Sequence, residues 1–411
     1  MSISDEYYEP IYNPIQKSTL KPRSPTILEV GIGSPYSENG GGVETYIHII
    51  GKMFEERGFE VYYAYLSNNK QNKGITKKGD IVIGGKFTYI FPFIKRIVYN
   101  LELRKSIKSS NYRYDIIHIN GDNGGLVKKI PGSILMTTLH GSWIETTKKT
   151  ISFNKSPLRY YNLLYSLILG CIEIFAVKKS NIVIAVSNHL VDYFQHHRKK
   201  DDIRVIHSFS KEIEVLSDER RERIREDLGI EHNEIICLWV GRDPLRKALD
   251  TAVRSVLCTK GMKLLVVGAN YESNNPRIIS LGKVDEYRLN KIYNAADIFL
   301  FPSLAEGFSL AVIEAMSAGL VPIIVKGNPS EEIIENGING LIADSQTDFC
   351  NILKNVEANH KTLQKIKENS KKTSLGIKKN FVEEMNEIII KLKKFVETGL
   401  EKQNKEKGVK K

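Results

Sequence analysis

"FLFPSLAEGFSLAVIEAMSAGLVPIIV", Phe299 to Val325, reads as a buried strand, a short loop, a helix and a second buried strand. Two carboxylates interrupt it, Glu306 in the loop and Glu314 within the helix, where Ile313 and Ala315 flank it. Gly307 permits a sharp turn, and Ser309 stands where it would cap a helix starting at Leu310, so Glu314 falls about one turn inside. A carboxylate held against a core needs donors, because burial without them is strongly unfavourable. A vicinal diol such as a nucleotide ribose offers two O–H donors at the spacing of one carboxylate. A neighbouring Arg or Lys would satisfy it equally well as an ion pair. The residues alone leave both readings open.

On either side of this stretch, short apolar runs alternate with helical patterns. "TILEVGI" is a strand, followed by the glycine-rich "NGGGVE" and a helix with Val43, Ile47, Ile50 and Phe54 on one face. Gly58 stops that helix. Further strands read at "FEVYYAYL", "DIIHIN", "ILMTTLH" and "NIVIAVS". A polar passage, "QHHRKKDDIRVIHSFSKEIEVLSDERRERIRE", breaks the series. A second series follows, with "EIICLWVG", "KLLVVG", "RIISLG", "DIFLFPS", "LVPIIV" and "GLIAD". Two α/β units with parallel, doubly wound sheets are expected, residues 25–210 and 211–378, with the ligand in the cleft at their strands' carboxyl ends. Residues 1–24 read as a flexible arm. Residues 379–398 read as a last helix with Phe381, Met385, Ile388, Ile389, Leu392 and Phe395 on one stripe, and 399–411 as a charged tail.

With 411 residues the chain is long enough for two cores, and 41% hydrophobic and 26% charged residues suit a globular protein. Four scattered cysteines without a CxxC pair are expected to be reduced thiols, in a cytoplasmic chain without a disulfide framework or zinc ribbon. The start lacks a secretory pattern, and the apolar run Asn162–Val177 is short for a bilayer and carries Glu173. The net charge of +12 points to an anionic partner. No helix-turn-helix, RNP or zinc pattern supports nucleic acid as that partner.

Several residues could carry chemistry. Gly41 and Gly42 open a helix after a strand, where backbone N–H groups can approach an anion, although the G-x-G-x-x-G spacing is absent. Arg242 and Lys247 in "WVGRDPLRKALD" follow a strand and suit a diphosphate. His140 ends a strand in "TTLHGS", where it could bond a substrate hydroxyl or shuttle a proton. No D-x-D motif ends an apolar strand, so no metal is expected as counter-charge.

With these residues assembled, the chain closely resembles the retaining GT-B glycosyltransferases of family 4. "GGGVETYIHIIGKMFEERGFEV", "TTLHGS", "SNIVIAVS", "VGRDPLRKALD", "LLVVG" and "NAADIFLFPSLAEGFSLAVIEAMSAGLVPIIV…NGINGLIAD" keep the family's order over residues 26 to 345. The E-x7-E element from Glu306 to Glu314 is the most specific. The resemblance implies a GT-B fold and a retaining, metal-independent hexosyltransferase using a UDP- or GDP-linked sugar and a glycan or lipid-linked acceptor. It assigns Glu314 to the ribose hydroxyls and Glu306 to the transferred sugar. Backbone N–H groups of Gly307, Phe308, Ser309 and Leu310 would lie near sugar or phosphate. Arg242 and Lys247 would hold the diphosphate, Gly41 and Gly42 would close on it from the other unit, and His140 would contact the donor sugar. Base recognition is expected from backbone around "LGKVDEYRL", and the last helix is expected to cross back onto the first unit. Two departures stand out: "VIHSFSKEI" replaces the family's Pro-Asn-Gly turn, and Ala248 replaces a glycine, which is expected to be a small change. Neither is expected to touch the charged site.

Residues 86 to 113 carry seven Lys or Arg against one Glu, with Phe87, Tyr89, Phe91, Phe93 and Tyr99 interleaved. This composition suits an anionic membrane surface, with the enzyme peripheral on the cytoplasmic face. It equally suits a surface helix that buries Ile94, Ile97, Val98 and Leu101. A non-hydrolysing sugar-nucleotide epimerase of the same architecture is the alternative enzyme. A sugar-nucleotide-binding module without turnover is the non-catalytic one.

Overall fold

The computed structural model describes all residues except 1–22, 35–40, 68–73, 77, 85–93, 152–158, 211, 232–233, 360–362 and 409–411, with side chains described up to residue 400. Most of the expected arm, Gly40 of the glycine run, and Phe87, Tyr89, Phe91 and Phe93 therefore lie outside the described residues.

The first sheet has eight strands: β1 (Thr26–Val30), β2 (Glu60–Leu66), β3 (Gly74–Ile75), β4 (Ile81–Ile83), β5 (Ile116–Asn120), β6 (Ile134–Leu139), β7 (Ile182–Ala185) and β8 (Ile203–Val205). Their order is β3-β4-β2-β1-β5-β6-β7-β8, and every pair is parallel except β3 with β4. The second sheet contains β9 (Ile235–Val240), β10 (Met262–Val267), β11 (Ile278–Gly282), β12 (Ile298–Phe301), β13 (Val321–Val325) and β14 (Leu341–Ala343). It runs β11-β10-β9-β12-β13-β14, all parallel. This is the doubly wound order, and the winding reverses between β9 and β12, the place where such sheets bind ligands. The first sheet reverses in the same way between β1 and β5.

The near-continuous apolar runs follow from this topology. Parallel strands are covered on both faces, so β1, β5 and β12 are buried along their whole length. One apolar core joins helix Gly42–Glu56 and β7 of the first unit to Phe299, Val312 and Ile313 of the second. The last helix completes it.

That helix runs from Leu363 to Gly408, so it begins well before residue 379 and continues into the stretch read as a tail. Its first part packs on the second unit, where Ser370 Oγ donates to Leu320 O and Ser374 Oγ to Ile313 O. Its later part reaches the first unit: Phe381 meets Tyr46 edge-on, and Arg204 pairs with Glu387 at 2.7 Å. Phe381, Met385, Ile388, Ile389 and Leu392 are buried as their spacing required, but Phe395 is 68% exposed and Val396 takes its place. The bridging stripe thus rotates by one residue at its end.

Three other expectations need correction. Cys258 and Cys350, 92 residues apart, form a disulfide between the end of helix Leu249–Leu257 and helix Phe349–Ala358, leaving Cys171 and Cys237 free. Spacing along the chain gave no sign of this pair, which the packing of two helices brings together. Helix Lys95–Ser109 buries Tyr99, Asn100, Leu103 and Ile107, while Leu101 faces solvent at 51% exposure. Ala248 adopts a left-handed backbone with φ 47°, so replacing the family's glycine there is not a small change.

Candidate functional site

A cavity of about 840 Å³ opens between the two sheets, at the carboxyl ends of β9 and β12 from one side and β6 from the other. Gly41, Gly42, His140, Arg242, Lys247, Glu306, Phe308, Ser309, Leu310 and Glu314 all line it. Gly307 stands just behind the wall. A Cβ there would lie 2.1 Å from His140 O, and its own carbonyl accepts a 2.7 Å hydrogen bond from Ser187 Oγ. Only a glycine lets the two units touch so closely at this point.

Glu306 is held by cations. Its Oε1 meets Arg246 Nη1 at 2.7 Å, Lys247 Nζ at 3.6 Å and Ser303 Oγ at 2.8 Å. Burial pushes its carboxyl up, but the Lys247 and Arg246 charges outweigh burial and hold it below the usual carboxylate range. Lys247 moves in the complementary sense: burial lowers its ammonium, while Glu306 opposes that shift. Its Nζ also sits 4.6 Å from the Phe301 ring centroid. Arg242 lines the cavity from an exposed position. The cation closest to Glu306 is Arg246, which the sequence reading passed over. Its place beside Lys247 in "DPLRKALD" could have flagged it, and its Nη1 also donates to Ala305 O at 2.7 Å.

Among the described residues Glu314 pairs with hydroxyls and not with a cation. Ser210 Oγ donates to its Oε1 at 2.6 Å and Tyr293 Oη to its Oε2 at 2.8 Å. Burial raises its carboxyl above the usual range, and these two hydroxyls only partly counter that. Each oxygen retains a second lone pair, and the residue lines the cavity. Ser210 belongs to "VIHSFSKEI", so this departure from the family pattern does touch the charged site. His207, from the same stretch, stacks on Phe308 with ring centroids 5.1 Å apart. Ser208 lines the cavity with a buried Oγ that finds no partner among the described residues, a polar group available to a ligand.

His140 is neutral. Its Nε2 lies 2.9 Å from Asn120 Oδ1, and Asn120 Nδ2 donates to Val30 O, so Oδ1 must accept and Nε2 carries the proton. Burial, then His118, lowers its pKa to about 3. With Nε2 donating to Asn120, Nδ1 is the nitrogen left to accept from a substrate hydroxyl. Behind it lies a buried polar chain, in which Glu29 bonds His118 Nδ1 at 2.9 Å and His118 Nε2 meets Thr138 Oγ1 at 2.8 Å.

Two helix N-termini face the cavity. Helix Gly42–Glu56 starts against helix Leu310–Ser317, and a Cβ on Gly42 would lie 3.4 Å from Leu310 Cδ1. Ser309 occupies the N-cap position but its side chain makes no capping bond, so first-turn N–H groups of that helix remain for a ligand. The Gly41 N–H, in contrast, is taken by Glu44 Oε2 at 2.9 Å. Lys283, Val284, Asp285 and Glu286, from the stretch expected near the base, form another part of the wall.

This arrangement offers fixed positive charge and helix N-termini for a diphosphate, beside a carboxylate for hydroxyls. Several known proteins have similar chains. An uncharacterized glycosyltransferase of Methanocaldococcus jannaschii is 27% identical over 34% of this chain and 41% of its own length. The UDP-Gal:alpha-D-GlcNAc-diphosphoundecaprenol alpha-1,3-galactosyltransferase of Escherichia coli is 24% identical over 61% of this chain and 70% of its own. The sucrose-phosphate synthase structure from Thermosynechococcus elongatus superposes with a TM-score of 0.73 at 19% identity, covering 92% of this chain and all of that one, which shows the GT-B fold. The glycosyltransferase reading displaces the epimerase alternative. Residues 40–209 match the model described as Glycosyltransferase Family 4 and residues 220–373 the model described as Glycosyl transferases group 1, and the chain belongs to this family of retaining, nucleotide-sugar-dependent glycosyltransferases.

Proposed function

We propose that the enzyme moves a hexose from a UDP- or GDP-linked donor to a lipid-linked glycan, without a metal. The observation that carries this reading is the pairing of Glu306, Arg246 and Lys247 at the switch point between β9 and β12, with Glu314 one helical turn further on. Breaking the glycosidic phosphate bond develops negative charge on the diphosphate and positive charge on the sugar ring. Lys247, Arg242 and the N-terminus of helix Leu310–Ser317 stabilise the first. Glu306 faces the sugar. Its Oε1 is held by Arg246 and Ser303 with Lys247 nearby, and its role is positioning and stabilising the cationic ring. Glu314 takes the ribose hydroxyls, Gly42 approaches the phosphates from the first unit, and neutral His140 accepts from a donor-sugar hydroxyl. Retention follows from attack on the face that the diphosphate leaves.

A lipid-linked acceptor is favoured by the galactosyltransferase relative, whose name gives a diphosphoundecaprenol acceptor. Arg104, Lys105 and Lys108, exposed on helix Lys95–Ser109, would attract an anionic membrane. Incubation with UDP-galactose, UDP-glucose or GDP-mannose and a polyprenyl-diphosphate-linked sugar, with excess chelator, should release nucleotide and form an α-linked product. Abolition by the chelator would overturn metal independence, and a covalent sugar trapped on Glu306 would overturn its positioning role.

A further inference from the structure

The helix Arg159–Lys179 carries an apolar face that stays exposed among the described residues. Tyr160, Leu164, Leu167, Ile168 and Phe175 are 66%, 58%, 41%, 40% and 49% exposed. Together with Cys171 they recur at helical spacing for four turns on one side. Between Arg159 and Lys178 no exposed residue of this helix is charged. Its single acidic residue, Glu173, is buried on the opposite side, where its Oε2 accepts from Trp143 N at 3.1 Å.

Basic residues stand at both ends of the face, one at its start and several at its end. Arg159 begins the helix and Lys178 is exposed at its end. Lys179 Nζ donates to the carbonyls of Gly125 and Val127, which brings the loop with exposed Lys128 and Lys129 against the same end. Arg104 of helix Lys95–Ser109 lies close enough to disfavour the Lys179 charge. An apolar stripe with cationic ends and no exposed acid matches an anionic bilayer surface, where aliphatic groups enter the acyl boundary and cations stay with the headgroups.

We infer that helix Arg159–Lys179 lies in the plane of an anionic membrane and docks the enzyme there. At 21 residues it is long enough to cross a bilayer. Leu169, Ile172, Ala176 and Val177, however, are buried against the protein, so the helix lies on the membrane and does not span it. The inference deepens the lipid-linked acceptor reading, on which its functional meaning rests. It also moves the apolar contact from residues 86 to 113 to this helix. The neighbouring helix Trp143–Thr150 packs on Arg159–Lys179 and starts three residues after His140, so a membrane-held acceptor is delivered beside the cavity.

Vesicle flotation of the full chain tests this, comparing phosphatidylcholine alone with phosphatidylcholine containing about 30% phosphatidylglycerol. The wild type is expected to float with the anionic vesicles. Leu164→Glu/Ile168→Glu should partition at least about tenfold less, since it withdraws two apolar groups and adds two like charges to those of the lipid. Neither residue lines the cavity, so nucleotide binding by calorimetry stays at the wild-type value and certifies the fold. If the charged pair fails to fold, Leu164→Ser/Ile168→Ser provides the same comparison with a smaller loss. Undiminished flotation of a folded variant, or no flotation of the wild type, overturns the inference. So does a wild-type dimer in sedimentation that the variant dissolves while neither binds vesicles. Loss of nucleotide binding in the wild type with flotation intact would sink the donor reading and leave the membrane face standing.

Discussion

Replacing Glu314 with Gln separates a ligand-binding carboxylate from a structural one. In the folded protein both carboxylate oxygens accept protein hydroxyls, from Ser210 at 2.6 Å and Tyr293 at 2.8 Å. A glutamine can keep that network, because its oxygen accepts from one hydroxyl and its NH₂ donates to the other. The burial-raised carboxyl sets the sign of the stability effect. A folded-state pKa above the unfolded value means that the folded form binds the proton more tightly. The stabilising contribution is complete below the ordinary value near 4.5 and is lost as pH rises through the raised one. At pH 7 the ionised Glu314 therefore burdens the fold. Glu314→Gln should match or exceed the wild type in melting temperature at pH 7 and lose that advantage towards pH 4.

Ligand binding should move the other way. A diol donates to a carboxylate through charge-assisted bonds worth about 1.5–3 kcal/mol. With the amide already engaged by Ser210 and Tyr293, losing one such bond weakens binding by roughly 10- to 100-fold. Calorimetry with UDP, GDP and ADP, without added metal, reads this directly. The preferred nucleotide should bind the wild type and lose that factor in Glu314→Gln, while Ser210→Ala and Tyr293→Phe lose less. Unchanged affinity together with a lowered melting temperature would refute the reasoning, because Glu314 would then serve only the fold.

Ala248→Gly should stabilise the protein by about 1 kcal/mol, since only the alanine resists the left-handed φ of 47°, and differential scanning calorimetry would show a small upward shift. Arg246→Met removes the 2.7 Å partner of buried Glu306 and should destabilise the fold by about 2 kcal/mol in denaturant titration. Because the cations hold Glu306 below its ordinary range, the stability they contribute is present above that range and fades as pH falls through the depressed value, so wild type and Arg246→Met should converge in acid. His140, with its pKa lowered to about 3, should produce no step near pH 6.5 in the kcat/KM profile. If a step there vanished in His140→Asn, its neutral role would be wrong.

The parts of this protein that were legible in the sequence are those whose signal is local. Parallel strands buried on both faces must be apolar throughout, so their runs announce themselves, and the strand–helix alternation then leaves few topologies. The E-x7-E element was legible for the same reason, since a loop, a turn and one helical turn fix its geometry. What escaped depends on contacts far apart in the chain. Ser210 reaches Glu314 across 104 residues. Tyr293, in "KIYNAAD", is core except for its hydroxyl, and nothing local sets it apart. Cys258 and Cys350 meet only because two helices pack. The face that helix Lys95–Ser109 buries escaped as well, since Tyr99 and Leu103 turn to the sheet and Leu101 to solvent, and an apolar count does not say which face the sheet will cover.

The missed residues share a further property that bears on function. Ser210, Tyr293, Arg246, Ser303 and Asn120 each bond a side chain that the sequence had already singled out: Glu314, Glu306 or His140. A spacing motif names groups that face the ligand, because the ligand's own dimensions constrain them. The groups behind them are constrained only to present a donor or acceptor at about 3 Å from some point in the fold. In this protein Ser210 does so from the stretch that leaves the family pattern, and Ala248 holds a glycine-like conformation beside Lys247. The charged residues can therefore persist while their supports are replaced. Donor affinity in this chain then depends on Ser210 and Tyr293 as well as on Glu314, though to a smaller degree, since their hydroxyls set how readily that buried carboxyl ionises.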